Sequence, residues 1–181
     1  MSRRNSIVLD VEKGEAVASF GEERRRMVLM TTEGFVTMME TLNAFGSAGL
    51  TMFYAMGLEK GRYDVLKELE ALRRQGNPIS KSQFLENILH HLRVTGWGAP
   101  AIKKHDEKKG ELTILLRNNP LVVSSGTDRE DRKPENHLCH YFRGYWVGIA
   151  SEVLERRVSC TETKCMGKGD AYCEFKIVVI E

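Results

Sequence analysis

Every cysteine of the chain lies in its last third: Cys139, Cys160, Cys165 and Cys173, with Glu162 among them. Thiolates and carboxylates are donors for divalent cations, and zinc takes four such groups in a tetrahedron. Cys139 stands near the start of the run NHLCHYFRGYWVGIASEVLE, which has helical periodicity, and Cys165 and Cys173 bracket the glycine-bearing loop CMGKGDAYC. A helix start, a strand end and a tight turn can therefore bring Cys139, Glu162, Cys165 and Cys173 to one ion. Cys160 is the rival for the fourth position. The segment RRVSCTET reads as extended, and strand alternation points Val158, Cys160 and Glu162 to one side. A closed shell of this kind leaves no place for substrate water, which argues for a structural ion over a catalytic one. Three thiolates and a carboxylate also leave a negative centre, which backbone amides or Lys164 and Lys168 should offset.

Competing chemistry is thin. The spacing is not that of a small secreted disulfide framework. The Met-Ser-Arg-Arg start is followed by charge rather than an apolar secretory core, so a reducing, cytoplasmic setting is expected. There, metal binding or redox sensing outranks disulfide formation. Cys139 beside His140 does not make a nucleophile and base, because helical neighbours point about 100° apart. The sequence holds no phosphate loop, dinucleotide fingerprint or helix-turn-helix signature, so enzymatic activity is not the expectation. A net charge of +2 over 181 residues gives no general attraction to nucleic acid, and the run GEERRR is a solvated face.

These residues must be carried by one core, since no linker divides the chain. SIVLDVE and EAVASF flank Lys13 and Gly14 as a hairpin, an N-terminal extension over residues 1–22. Thr31 or Thr32 caps a helical segment reaching about Lys60. Its uncharged stretch, LNAFGSAGLTMFYAMGL, falls short of the ~20 residues of a membrane span and reads as a core helix. Small residues there leave space beside the backbone and methionines supply adaptable apolar surface. That stretch is either a close helix contact, including one across a dimer, or a wall of an apolar pocket containing Phe45, Gly49, Met52, Phe53 and Met56.

RYDVLKELEALRRQ gives an amphipathic helix stopped by Gly76, Asn77 and Pro78. The next, from Ser80 or Ser82, buries Phe84, Leu85, Ile88, Leu89 and Leu92, with His91 at the edge of that face. Gly96-Trp97-Gly98 opens an extended segment that pairs with ELTILLRNN across the turn DEKKG. LVVSSG reads as a strand or loop and TDREDRKPEN as a polar connection. Pro134, Glu135 and Asn136 then start the last helix, whose apolar face carries Leu138, Phe142, Tyr145, Trp146, Ile149 and Val153. Cys139 falls in its first turn, where the helix dipole favours a thiolate. EFKIVVI closes the chain as a strand. The pocket residues expected from these later elements are His91, Trp97, Phe142 and Trp146.

The order Gly-Trp-Gly, a strand pair, a helix-start cysteine followed by Gly144 and Gly148, then Glu162-x-x-Cys165-x-x-x-Gly169-Asp170-x-x-Cys173-x-Phe175, resembles the 4-vinyl-reductase-type, hydrocarbon-binding domain. That domain is related to the sensory regions of phenol- and xylene-responsive activators and to a ligand-binding fold of vesicle-tethering subunits. The resemblance is specific over residues 95–178 and extends the domain to 23–181. It implies a structural zinc on Cys139, Glu162, Cys165 and Cys173, with Cys160 left as the departure from the pattern. It further implies an α+β fold in which an antiparallel sheet packs against a layer of helices, as a single domain stapled near its C-terminal end by the metal. The function implied is binding of a small apolar or aromatic molecule, homodimer formation and signalling to a regulatory protein partner. Alternatives are a thiolate redox sensor, a tetrapyrrole vinyl reductase component and a dimeric assembly scaffold.

Overall fold

A computed structural model of the chain describes residues 6–20, 23–76, 79–123 and 139–180. The chain divides into two units, Met1–Thr31 and Thr32–Glu181. In the first, strands β1 (Ser6–Asp10), β2 (Glu15–Phe20) and β3 (Glu23–Met27) form an antiparallel sheet in that order. The β1–β2 hairpin is the expected one. Gly14, at φ +62°, supplies the left-handed turn residue, and Lys13 reaches back to Asp10. The arginine run read as a solvated face is exposed at Arg24 and Arg26 and also forms a third strand. It pairs along the second edge of β2, so backbone hydrogen bonding makes the strand where no apolar alternation announces it. The first unit consequently runs past residue 22 to Thr31.

The second unit contains α1 (Thr32–Asn43), α2 (Ser47–Gln75), α3 (Lys81–Val94), β4 (Ala99–Asp106), β5 (Glu111–Arg117), α4 (Pro120–Val123), α5 (Cys139–Leu154), β6 (Val158–Lys164) and β7 (Cys173–Val179). The strands form one antiparallel sheet in the order β4-β5-β7-β6, with α3 against β4 and α5 against β6 and β7. This is the α+β architecture expected, helices layered on an antiparallel sheet. β4 and β5 pair as the sequence predicts, from Ala99 opposite Arg117 to Asp106 opposite Glu111. Ser80 caps α3 by accepting from the Gln83 amide, and the five apolar residues expected in that helix's buried face are all buried.

Two helix boundaries differ from expectation. The segment from Thr31 towards Lys60 breaks at Gly46, which adopts φ +61° and separates α1 from α2. Conversely, α2 continues without interruption through Gly57 and Gly61 to Gln75, joining what reads as two helices in sequence. The continuity comes from tertiary contact. A Cβ on Gly57 would lie 2.0 Å from the carbonyl oxygen of Tyr141, and one on Gly61 would lie 2.3 Å from that of Tyr145. In return, Cβ atoms on Gly144 and Gly148 would lie 2.0 and 2.2 Å from the carbonyl oxygens of Tyr54 and Leu58. The two helices thus interlock backbone to backbone through glycines on both sides. Packing replaces the stability that glycine takes from an isolated helix.

LVVSSG is another departure: Pro120–Val123 is a helical turn, begun by proline at its first position, where the absent N–H costs nothing. The connection TDREDRKPEN, the caps Pro134, Glu135 and Asn136, Leu138, and the stop residues Asn77 and Pro78 lie outside the described residues. The core beneath α5 is aromatic. Phe142 stacks near Trp146 at 6.2 Å between ring centroids, and both lie against Phe175 of β7. One charge is buried on the α2 side: Asp64 is 5 % exposed, paired with Lys60 and accepting from the Tyr145 hydroxyl at 2.8 Å. Both partners are needed, because an uncompensated buried carboxylate is strongly destabilising.

Candidate metal centre

Three elements deliver the donors. α5 begins at Cys139, β6 carries Glu162 near its end, and a tight turn places Cys165 and Cys173 on either side of it. In that turn the Asp170 carboxylate accepts from the Cys165 amide at 2.8 Å, while Cys165 O accepts from the amides of Lys168 and Asp170. Gly169 makes the reversal at φ +95°, a conformation costly for any residue with a side chain. One ligand-donor atom from each of Cys139, Glu162, Cys165 and Cys173 comes within 4.8 Å of the others, and the three cysteines are buried.

The spacing separates a metal cradle from a disulfide. Cys139 Sγ lies 3.6 Å from Cys165 Sγ and 3.9 Å from Cys173 Sγ. A disulfide requires about 2.05 Å. A tetrahedron with zinc–sulfur bonds of about 2.3 Å has edges of about 3.8 Å, between the two observed distances. Glu162 Oε1 adds an independent sign: it is buried and has no hydrogen-bond partner. A buried carboxylate oxygen in that position costs free energy unless a cation or donor meets it. The residues therefore fit a divalent cation, which would supply the positive charge that lets clustered thiolates and a carboxylate coexist.

Without that cation the cluster cannot ionise uniformly. Burial pushes the Glu162 carboxyl up to about 7. Hydrogen bonds from Cys139 and Cys165, aided by Asn119, hold the Cys173 thiol down at about 4, while the same contacts raise Cys139. Because the Glu162 value lies above its ordinary 4.5, its contribution to stability is complete below that value and is lost as pH rises through 7. After chelation, the melting temperature of the wild type relative to Glu162→Gln is expected to fall as pH is raised across this window. Metal loading should abolish that slope; a flat difference in thermal melts of the stripped proteins would contradict the assignment.

The expected offset of negative charge comes partly from elsewhere. A backbone amide does contribute, Met166 N–H pointing at Cys173 Sγ at 3.4 Å. Lys164 instead contacts the Tyr172 hydroxyl and ring. Sequence reasoning missed Asn119, which is wholly buried at the end of β5. Its side-chain nitrogen lies 3.5 Å from Cys173 Sγ and 3.7 Å from Cys139 Sγ. The Asn119-Pro120 dipeptide signals a turn, but nothing local signals a sulfur partner.

Cys160 lies outside the cluster. It occupies the expected inward face of β6 and is buried, and that burial pushes its thiol up to about 12, away from the thiolate form that oxidation and metal binding require. The residues expected to line a ligand pocket are distributed. Trp97, Phe142 and Trp146 come together in the aromatic cluster, Trp97 being 6.1 Å from Phe142 between centroids. Phe53 is fully buried, whereas Phe45, Met52 and Met56 are exposed. Gly49 is where α2 touches the Leu42 carbonyl, and His91 is partly buried on α3. A cavity of about 410 Å³ lies elsewhere, between α2, the start of α3 and the end of α5. Its apolar walls are Val65, Leu69, Leu72, Ile79, Phe84 and Val153. No helix among the described residues is long and apolar enough to cross a membrane.

Fold and site together describe a helix-on-sheet domain with a cysteine-rich C-terminal cradle, and comparison with known proteins gives the class a name. Residues 133–179 match the V4R domain model. The uncharacterized protein MJ0150 of Methanocaldococcus jannaschii is 30 % identical over 128 residues, covering 68 % of this chain and 66 % of that relative. Among solved structures, the phenol-responsive sensory domain of the transcription activator PoxR with phenol superposes with a TM-score of 0.74. It covers 96 % of this chain and 84 % of that one at 17 % identity. A vinyl-4-reductase family protein from Methanocaldococcus jannaschii gives 0.53, covering 86 % and 85 % at 15 % identity.

Proposed function

We propose that this chain is a small-molecule sensory domain that binds an apolar or aromatic compound, holds a structural zinc on Cys139, Glu162, Cys165 and Cys173, and signals as a homodimer to a protein partner. The observation that carries the ligand reading is the apolar cavity between α2, α3 and α5. Its volume of about 410 Å³ falls in the range of small-molecule sites, and three separate elements wall it. The likeness to the PoxR sensory domain, crystallised with phenol, supports the same reading. Zinc is favoured over harder cations by a donor set dominated by sulfur. Pairing of two copies is supported by the exposed stripe Met52, Met56, Tyr63 and Leu66 along one face of α2, apolar surface that a lone subunit leaves in water.

Native mass spectrometry of protein purified gently from its source tests the whole reading at once, through subunit number, metal mass and retained small molecule. The cavity is tested by substitution. Leu69→Trp fills it from its wall, whereas Met38→Trp, at an exposed position of α1 that does not line the cavity, does not. A panel of phenols, alkylbenzenes and medium-chain hydrocarbons screened by thermal shift and titration should give a binder for the wild type. Leu69→Trp should weaken that binder by at least about tenfold, the scale expected when a ligand-sized void is occupied, while Met38→Trp leaves it unchanged. Equal binding by both variants, or no binder for the wild type, would reject the cavity as the ligand site.

A further inference from the structure

Resting on the metal reading above, we infer that Asn119 is the positioning residue of the centre, holding two ligand sulfurs and the helical turn α4 in one hydrogen-bonded unit, so that metal loading orders α4. The orientation of its amide is fixed by its surroundings. The Leu121 N–H points at one side-chain atom at 3.1 Å, which must therefore be the oxygen. The nitrogen then faces Cys139 Sγ and Cys173 Sγ, and its two N–H groups can donate to one sulfur each. The backbone carbonyl of the same residue accepts from the amides of Val122 and Val123 at 3.1 and 3.0 Å. All three of these α4 amides therefore hang from Asn119, and the sulfurs it touches come from β7, whose Cys173 the sheet sets opposite Leu116 near the end of β5, and from α5, which lies outside the sheet.

The arrangement reaches beyond the cradle. Val122 sits beside the metal turn, within 3.8 Å of the position a Cβ on Gly167 would take, and α4 also packs on α1 of the helical layer. Asn119 is completely buried, so the sulfurs replace water as acceptors for its N–H groups. When the cation holds Cys139 and Cys173 in place, both acceptors are fixed and so is the amide. When the cation leaves, the sulfurs are free to move and the cap on α4 loses its anchor.

Asn119→Ser separates the two halves of this role. Serine can still cap the Leu121 amide but cannot reach the sulfurs; Asn119→Ala loses both functions. Zinc affinity measured by chelator competition, with cobalt(II) sulfur charge-transfer absorption as the spectroscopic check, should fall by about 10- to 100-fold in Asn119→Ser, as for other outer-shell partners. Native-state hydrogen exchange gives a second readout that needs no variant. Chelating wild-type protein should accelerate exchange of the Leu121, Val122 and Val123 amides well beyond that of amides in the middle of α3. Wild-type zinc affinity in Asn119→Ser, or α4 exchange indifferent to chelation, would overturn the inference. A wild type that binds no metal at all would instead remove the reading on which it rests.

Discussion

Cys173→Ala should cost the protein far more stability than Cys160→Ala, although both residues are buried cysteines on adjacent strands. Cys173 Sγ sits at the centre of the cradle, facing Cys139 Sγ, the Asn119 amide and the Met166 N–H. Its removal leaves an incomplete site, and metal binding free energy is folding free energy wherever the unfolded chain has no preformed site. With free zinc at a thousand times the dissociation constant, the linked stabilisation is about 4 kcal/mol. For a chain of this length that is a drop of roughly 8–16 °C in melting temperature. Cys160→Ala removes a protonated thiol from the sheet face and should cost about 1 kcal/mol, the ordinary cost of a buried substitution. Calorimetry of both variants, with and without chelator, checks the comparison. Chelator should move the wild type towards Cys173→Ala and leave that variant unchanged. Equal losses for the two alanine variants would make Cys160 a ligand after all.

The second large effect is expected at the helix interlock. Gly144→Ala would place a methyl group 2.0 Å from the Tyr54 carbonyl oxygen, and the nearest atoms on the other side are backbone too. No rotamer change can relieve such a contact; α2 and α5 must separate. Overpacking usually costs 1–3 kcal/mol where side chains can shift, so about 3 kcal/mol or more is expected here, against the helix propensity that alanine gains. Because α5 carries Cys139 at its first residue, the separation should also displace a metal ligand. Chemical denaturation of Gly144→Ala and of Gly57→Ala, on the opposite helix, should show comparable losses. If either variant proves as stable as the wild type, the helices are not in backbone contact in solution.

The asymmetry between these two predictions follows what a sequence can encode locally. The cradle was legible because Glu162, Cys165, Gly169 and Cys173 sit in a strand and turn whose spacing alone brings them together, and because thiols and carboxylates announce their chemistry by type. The helix break at Gly46 and the continuity through Gly57 and Gly61 were not, since glycine is equally a turn residue and a contact residue until the surface it meets is known. Strand β3 escaped for a related reason: its arginines carry no apolar alternation, and only the free edge of β2 makes it a strand. Asn119 lies 20 residues from Cys139 and 54 from Cys173, so its role exists only in three dimensions.

By itself, then, the sequence determined the candidate donors, the buried face of α3 and the antiparallel pairing of β4 with β5, because each depends on residue type and short-range period; α5, read as amphipathic, is instead buried on nearly every side. The tertiary structure decided which glycines are contacts, which buried amide holds the sulfurs, and where empty volume remains. Those features arise between elements distant along the chain, and close packing is a property of the two surfaces that meet rather than of either one alone.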